Sequence, residues 1–347
     1  MQEKTVNSGF GTIDQDEAGA KNPLSRSFAG NRPTEAQNQA LSALQAWNAM
    51  AQGAYPENTK RAWRADWAIF KAFCEAQGFS ALPALPTTVR EFIRACVELK
   101  KKPATIRRYV ATIARAHRAA DLESPCTKEP VRLALKEMTR TMAVRQRQAR
   151  ALGWAEIKAF NDSAGKGIRA DRERALLCVA YDTMARRAEL VALDLMDVTF
   201  GPDGSGTALI RRSKTDQAGE GARAYLSRDT ARFLQIWIKG AKIENGALFR
   251  RIIGGKTIGA RLHPNIVASI YKRVGRRLNL GSEDVAAISG HSVRVGATQD
   301  LLALNIDLAS VMQAGRWKST FMPMRYGEHV LAARGGMARA AAKQGRD

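Results

Sequence analysis

Residues 289–326 read SGHSVRVGATQDLLALNIDLASVMQAGRWKSTFMPMRY, and within them stand a His-x-x-Arg step, His291 with Arg294, and a Trp317 followed nine residues later by Tyr326. Each feature is weak alone. A His-x-x-Arg step is common by chance, and a Tyr at that distance from a Trp is more often core packing. Working outward, two further pieces stand upstream: Arg186 with Glu189 in TMARRAEL, and Lys214 in RRSKT. An isolated Arg-x-x-Glu on a helix is usually a surface ion pair. Their joint occurrence, in this order and in a strongly basic chain, is what points to chemistry.

That chemistry is breaking and rejoining a phosphodiester without a metal. The transition state gains negative charge on its nonbridging oxygens, where cationic or hydrogen-bonding groups must sit. Arg186 and Arg294 offer guanidinium forks that clamp such oxygens bidentately. His291 and Arg294, three apart on a predicted helix, would share one face and reach one phosphate. Trp317 Nε1 is a pure donor, suited to a phosphate oxygen. Tyr326 supplies a phenol that must be activated, and cations around a phosphate favour its ionised form. Lys214, on a β turn, could protonate a leaving 5′ oxygen.

The segments TMARRAEL, RRSKT, SGHSVRVGA and VMQAGRW, with the Trp-to-Tyr spacing, make the chain similar to the tyrosine recombinase family over about residues 37–347. The resemblance implies that Tyr326 is the nucleophile of a 3′-phosphotyrosine link, and that Arg186 and Arg294 bind the scissile phosphate. It implies His291 as donor and proton acceptor beside them, Trp317 in the place of a second His, Lys214 as general acid, and Glu189 as an orienting group. It also implies a homotetramer on duplex DNA with inverted-repeat sites, strand exchange through a Holliday junction, and no cofactor. A type IB topoisomerase uses related chemistry, and an inactive DNA-binding regulator of the same fold is the reading from another class. Two departures stand out: Pro323 lies three residues before the tyrosine, tolerable near a first turn if Ser319 is the N-cap, and Arg187 beside Arg186 makes the phosphate-facing guanidinium ambiguous. Arg186 is preferred because it stands three before Glu189.

Composition agrees. The 347 residues include 55 Lys plus Arg and 33 Asp plus Glu, a net charge of +22 that calls for a polyanionic partner. At 45% hydrophobic and 25% charged the chain is globular in composition, and its length predicts two domains. No window of apolar residues is long enough for a membrane span, and the N-terminus lacks the basic and apolar regions of a signal peptide. A cytoplasmic, nucleoid-associated protein without a membrane partner is expected. Cys74, Cys96, Cys126 and Cys178 are too scattered for a zinc site or disulfide framework, so no metal is expected.

The pattern divides the chain into a disordered leader (1–36), a helical DNA-binding core domain (37–138), a basic linker (139–150) and a catalytic domain with a C-terminal assembly helix (151–347). The fold class is mainly α: a helical bundle followed by a mixed α+β domain with a small antiparallel meander. Trp63, Trp67, Phe70, Phe73 and Cys74 recur at helical steps and predict a bundle core, as do Ile106, Val110, Ile113 and Ala114. Between Lys100 and Ala120 stand seven bases and no acid, a face read as DNA-contacting. Lys101, Lys102, Arg107, Arg108 and Arg115 are its candidate contacts, with Arg145 and Arg147 in the linker. DRERALLCVAYDTM, apolar on nearly every side after Arg174, predicts a buried helix, and the turn clusters GPDGSG and DQAGEG predict the meander. Asn265, in the first turn of a helix starting at Pro264, is the candidate adenine reader.

Overall fold

The computed structural model describes residues 34–142, 145, 147–211 and 220–346. The chain forms two compact units, Met1–Gln146 and Arg147–Asp347.

The first unit is helical: α1 (Glu35–Met50), α2 (Glu57–Gln77), α3 (Pro86–Glu98), α4 (Pro103–Ala119) and α5 (Glu129–Thr141). Thr34 and Gln37 close a capping box, so α1 starts two residues inside the segment read as leader. Gly78 ends α2 in the left-handed region, at φ 69°. Trp67, Phe70, Phe73 and Cys74 are buried as their spacing predicts. Phe92 of α3 gathers the rings, at 5.1 Å from Phe70, 5.2 Å from Phe73 and 5.9 Å from Tyr109 of α4. Burying one such aromatic stabilises the fold by about 1.5–3 kcal/mol. Trp63 instead packs against Tyr55, 4.9 Å between rings, with the Arg115 guanidinium 4.1 Å above its ring. The last helix runs through Thr141, so the first three residues of the 139–150 segment are helical.

The second unit holds α6 (Trp154–Ser163), α7 (Ile168–Thr183) and α8 (Arg187–Ala192), then β1 (Val198–Phe200), β2 (Gly206–Ile210), β3 (Ala222–Leu226) and α9 (Arg228–Gly240). Next come β4 (Arg250–Ile253), β5 (Thr257–Arg261), α10 (Pro264–Arg277), α11 (Ser282–Ala287), α12 (Ser292–Ala303), α13 (Leu308–Gly315), α14 (Phe321–Tyr326), α15 (Glu328–Arg334) and α16 (Gly336–Lys343). Its core forms around α7, where Ala175 to Ala180 are buried without a break. Trp237 of α9 is fully buried and donates Nε1 to the Leu248 carbonyl at 2.8 Å. The expected meander is present as an antiparallel sheet in the order β1-β2-β3, while the β4-β5 hairpin was not anticipated.

Residues 150–153 lie along the start of α12. The Arg150 amide donates to Ala287 O at 3.1 Å and the Leu152 amide to Ser292 O at 3.0 Å. Gly296 permits this approach: a Cβ there would come within 2.1 Å of the Leu152 carbonyl oxygen. No helix among the described residues is long and apolar enough to cross a membrane.

Candidate active site

Six of the seven side chains singled out from the sequence converge where the start of α8, the first turns of α12 and the α13–α14 corner meet. Arg186 is the N-cap of α8, and its backbone amide donates to Glu189 Oε2 at 3.0 Å while Nη1 donates to Oε1 at 2.7 Å. The preference for Arg186 over Arg187 thus has a structural counterpart: the bond from cap to third residue ties Arg186 to Glu189. Arg187 reaches instead toward Gly290.

Arg294 is 3% exposed on α12. It donates Nη1 to the Met184 carbonyl and Nη2 to Gly315 O at 2.5 Å, which fixes its fork. A guanidinium carries five N–H donors, so donors remain for another acceptor. Its cation sits 4.2 Å over the Trp317 ring, and Trp317 meets Tyr326 edge-on with ring centroids 6.0 Å apart. Trp317 therefore bridges the buried arginine and the phenol. Gly315 makes room, because a Cβ there would fall 2.0 Å from the indole.

His291 lies one residue before α12, as its N-cap, and not inside the helix as the three-residue step suggested. It remains next to Arg294 because the cap still leads directly into the first turn. Tyr326 is the last residue of α14, whose N-cap is Thr320 and not Ser319, placing Pro323 third in the helix, where its missing N–H costs little. The Tyr326 carbonyl accepts from Gln299 Nε2 at 2.9 Å and from Gln148 Nε2 at 3.0 Å, so two amides hold the main chain of this tyrosine.

Sequence reasoning missed these glutamines and also Arg316. Arg316 donates Nη2 to Glu189 Oε2 at 3.1 Å and Nη1 to Thr183 O at 2.8 Å. Its position inside the already quoted MQAGRW segment was the available signal. Lys214 lies outside the described residues.

The charges are unbalanced by design of the packing. Three guanidiniums, Arg186, Arg294 and Arg316, surround one carboxylate, Glu189. Burial, Arg186 and Arg316 together push the Arg294 cation down to about 9, which still leaves it charged at neutral pH. Burial alone would raise the Glu189 carboxyl, but the Arg186 amide and guanidinium and Arg316 outweigh it and hold it below the usual range. Loss of solvent, then the Arg294, Arg186 and Arg187 cations, depress His291, so its ring is neutral and able to accept a proton at pH 7. Among the described residues no group of three or more His, Cys, Asp or Glu is placed to hold a metal ion. The arrangement is an anion site with a phenol at its edge.

A profile of the phage integrase family matches residues 150–332. The chain belongs to this family. It is 28% identical over 284 residues to an integrase/recombinase XerD homolog of Selenomonas ruminantium, covering 78% of this chain and 81% of the relative. It is 25% identical over 285 residues to the recombinase Cre of Escherichia phage P1, covering 77% and 83%. Solved structures share the fold: the Tn1549 transposon integrase in complex with transposon right end DNA has a TM-score of 0.60 at 15% identity, over 86% of this chain and 99% of that one. The XerH site-specific recombinase bound to palindromic difH substrate has a TM-score of 0.58 at 17% identity, over 89% and 91%. The chain is accordingly a tyrosine site-specific recombinase, an enzyme that cleaves and rejoins DNA.

The predicted DNA-contact residues fall apart by environment. Lys101 and Lys102 are exposed ahead of α4. Arg108 donates Nε and Nη2 to the buried Asp66 at 2.9 and 2.7 Å, Arg107 donates to Thr139 at 2.7 Å, and Arg115 donates to Tyr55 at 3.2 Å while stacking on Trp63. Arg107 and Arg108 remain exposed while making these bonds, and Arg115 is half-buried. Arg145 and Arg147 lie in the connection, and Asn265 is exposed in the first turn of α10, next to the His263 N-cap.

Proposed function

We propose that this recombinase acts on duplex DNA at inverted-repeat sites as a homotetramer, through a 3′-phosphotyrosine intermediate and a Holliday junction, in the cytoplasm and in association with the nucleoid. The observation that carries the residue roles is the packing of Tyr326 against Trp317 beside three guanidiniums and one carboxylate.

In this reading the DNA phosphate enters beside Arg186 and Arg294, which bind its nonbridging oxygens. His291 takes the proton as the Tyr326 oxygen attacks phosphorus. The P–O5′ bond breaks, Lys214 protonates the departing 5′ oxygen, and the phosphotyrosine keeps the energy of the phosphodiester for rejoining to a partner strand. Arg186 and Arg294 stabilise the added charge of the transition state, and Trp317 Nε1 donates a neutral hydrogen bond to it. Glu189 orients Arg186. Lys101, Lys102, Arg107, Arg108, Arg115, Arg145 and Arg147 meet the DNA, chiefly at phosphates, and Asn265 reads an adenine edge. No cofactor is required.

The test is selection of recombined products from a library of inverted-repeat duplexes, followed by trapping of the covalent adduct on a nicked suicide duplex. Tyr326→Phe should bind the selected site within about 3-fold of wild type yet give no adduct. An adduct that persists and maps to another residue overturns the assignment.

A further inference from the structure

Arg316 stands where a side chain is least welcome. It is the left-handed residue that ends α13, at φ 54° and ψ 47°. The Trp317 amide returns to Met312 O at 2.9 Å and the Arg316 amide to Gln313 O at 3.0 Å, the paired bonds of a Schellman turn, whose left-handed position glycine normally fills. A residue with a Cβ is strained there, so the turn itself gives no reason for an arginine.

The side chain gives one. Its carbon stem turns inward, leaving the side chain 11% exposed, and the guanidinium shares Glu189 with Arg186. Its Nε is buried with no hydrogen-bond partner. The neighbouring residues on each side both touch Arg294, Gly315 through its carbonyl and Trp317 through its ring. Resting on the reading of Arg186, Arg294 and Tyr326 as the phosphate site, we infer that Arg316 is a positioning residue that offsets the charge of Glu189, leaving Arg186 available to the scissile phosphate. Without it, the lone carboxylate would pair with Arg186 alone and compete with the incoming anion for the same fork. With it, the site keeps a surplus of two positive charges, matching the total charge of the dianionic phosphorane formed when the phenolate adds to the singly charged phosphodiester.

The experiment measures single-turnover adduct formation by full-length protein at saturating concentration on the selected suicide duplex, with Tyr326→Phe run alongside. Arg316→Gly removes the cation and relieves the left-handed strain together. Its thermal midpoint should stay within a few degrees of wild type, while adduct formation falls roughly 10- to 100-fold, less than the loss from removing a direct oxyanion donor. The decisive arm repeats the change in a Glu189→Gln background. There the amide no longer competes for Arg186, and Arg316→Gly should cost less than about 3-fold. Added methylguanidinium, which fits the vacated space, should restore part of the rate. An equal loss in both backgrounds, or a rate that merely follows the thermal midpoint, overturns the inference. A parallel arm needs no DNA target: orthovanadate affinity of the unbound protein, followed by calorimetry, should weaken in Arg316→Gly and recover in the double variant. An adduct that survives in Tyr326→Phe would count against the reading of the site, whereas additivity would count against Arg316 alone.

Discussion

At the scale of single residues, role follows from which atoms are already occupied. Arg294 has two carbonyls and an indole holding it, so it is a fixed charge, whereas the proposed general acid Lys214 must deliver a proton and then step back. The two are separable. Lys214→Ala should slow cleavage of a normal strand by roughly 100- to 10,000-fold and be largely rescued when the 5′ bridging oxygen is replaced by sulfur, a leaving group that needs no proton. Arg294→Ala should not be rescued, since its proposed role is to place positive charge at nonbridging oxygens. Equal rescue of both would mean the roles are exchanged. The depressed groups set the pH behaviour. His291 is held below its ordinary value of about 6.5, so it stays neutral at pH 7, and the unfolded chain takes up this proton first as pH falls. Glu189 is held below the usual carboxylate range, so its share of stability is present at neutral pH and fades as pH falls through the ordinary value toward the depressed one. The acid limb of the cleavage profile should therefore lie below the ordinary histidine value, and the thermal midpoint of Glu189→Gln should fall less between pH 7 and pH 4 than that of wild type. A parallel decline in both proteins would remove Glu189 from the acid response.

At the scale of elements, α14 is only six residues long and carries Tyr326, the proposed nucleophile, at its last position, so its final carbonyls have no partner within the helix. Gln299 of α12 and Gln148, ahead of the Arg150 and Leu152 anchor, supply two amides to the Tyr326 carbonyl. Gln148→Ala combined with Gln299→Ala should lower the single-turnover cleavage rate about 10-fold or more with DNA affinity retained, by analogy with other losses of nucleophile placement. A double variant that cleaves at the wild-type rate would show that the helix needs no such support. These glutamines also mark the limit of legibility. The α7 helix, the meander and the aromatic stripe of α2 were readable because burial imposes a period of its own on the sequence. Gln148 was not, because its partner stands 178 residues away and no local pattern encodes the meeting. The β4-β5 hairpin was missed for a related reason: its strands are four and five residues long, mostly exposed, and interrupted by a register shift. Arg316 was hidden by conformation, since periodicity says nothing about a left-handed φ. In the proposed catalytic set, Arg186, Glu189, His291, Arg294, Trp317 and Tyr326 were legible as types in an order, and the structure adds what order alone lacks, such as the carbonyls and the ring that hold Arg294.

At the scale of the whole molecule, a chain of net charge +22 repels its own copies, so the proposed homotetramer would have to draw on specific contacts and on DNA that neutralises the charge. The tail is the element suited to this. α15 and α16 contain no buried residue, and Met337 is 76% exposed. α15 lies against α12 and α14, and Arg334 at its end donates to the Ala303 carbonyl and to Asn305 Oδ1 at 3.3 Å. An eight-residue helix without a docking surface is marginal in water. The same unit exposes Leu304 at 70% and Phe321 at 65%, large apolar groups that invite a cover. A tail passed to a neighbour in a ring would satisfy both needs as a heterologous contact, with Gly335 as the joint at the break between α15 and α16. Deleting residues from Gly335 onward should leave half-site binding and suicide-substrate cleavage measurable, because the site residues from Arg186 to Tyr326 all precede the cut. Cooperative assembly on a full site, followed by gel mobility, and completed recombination should both be lost. If the truncated protein still recombines at the wild-type rate, the tail is not the assembly element, and the contact between protomers must be sought on another face.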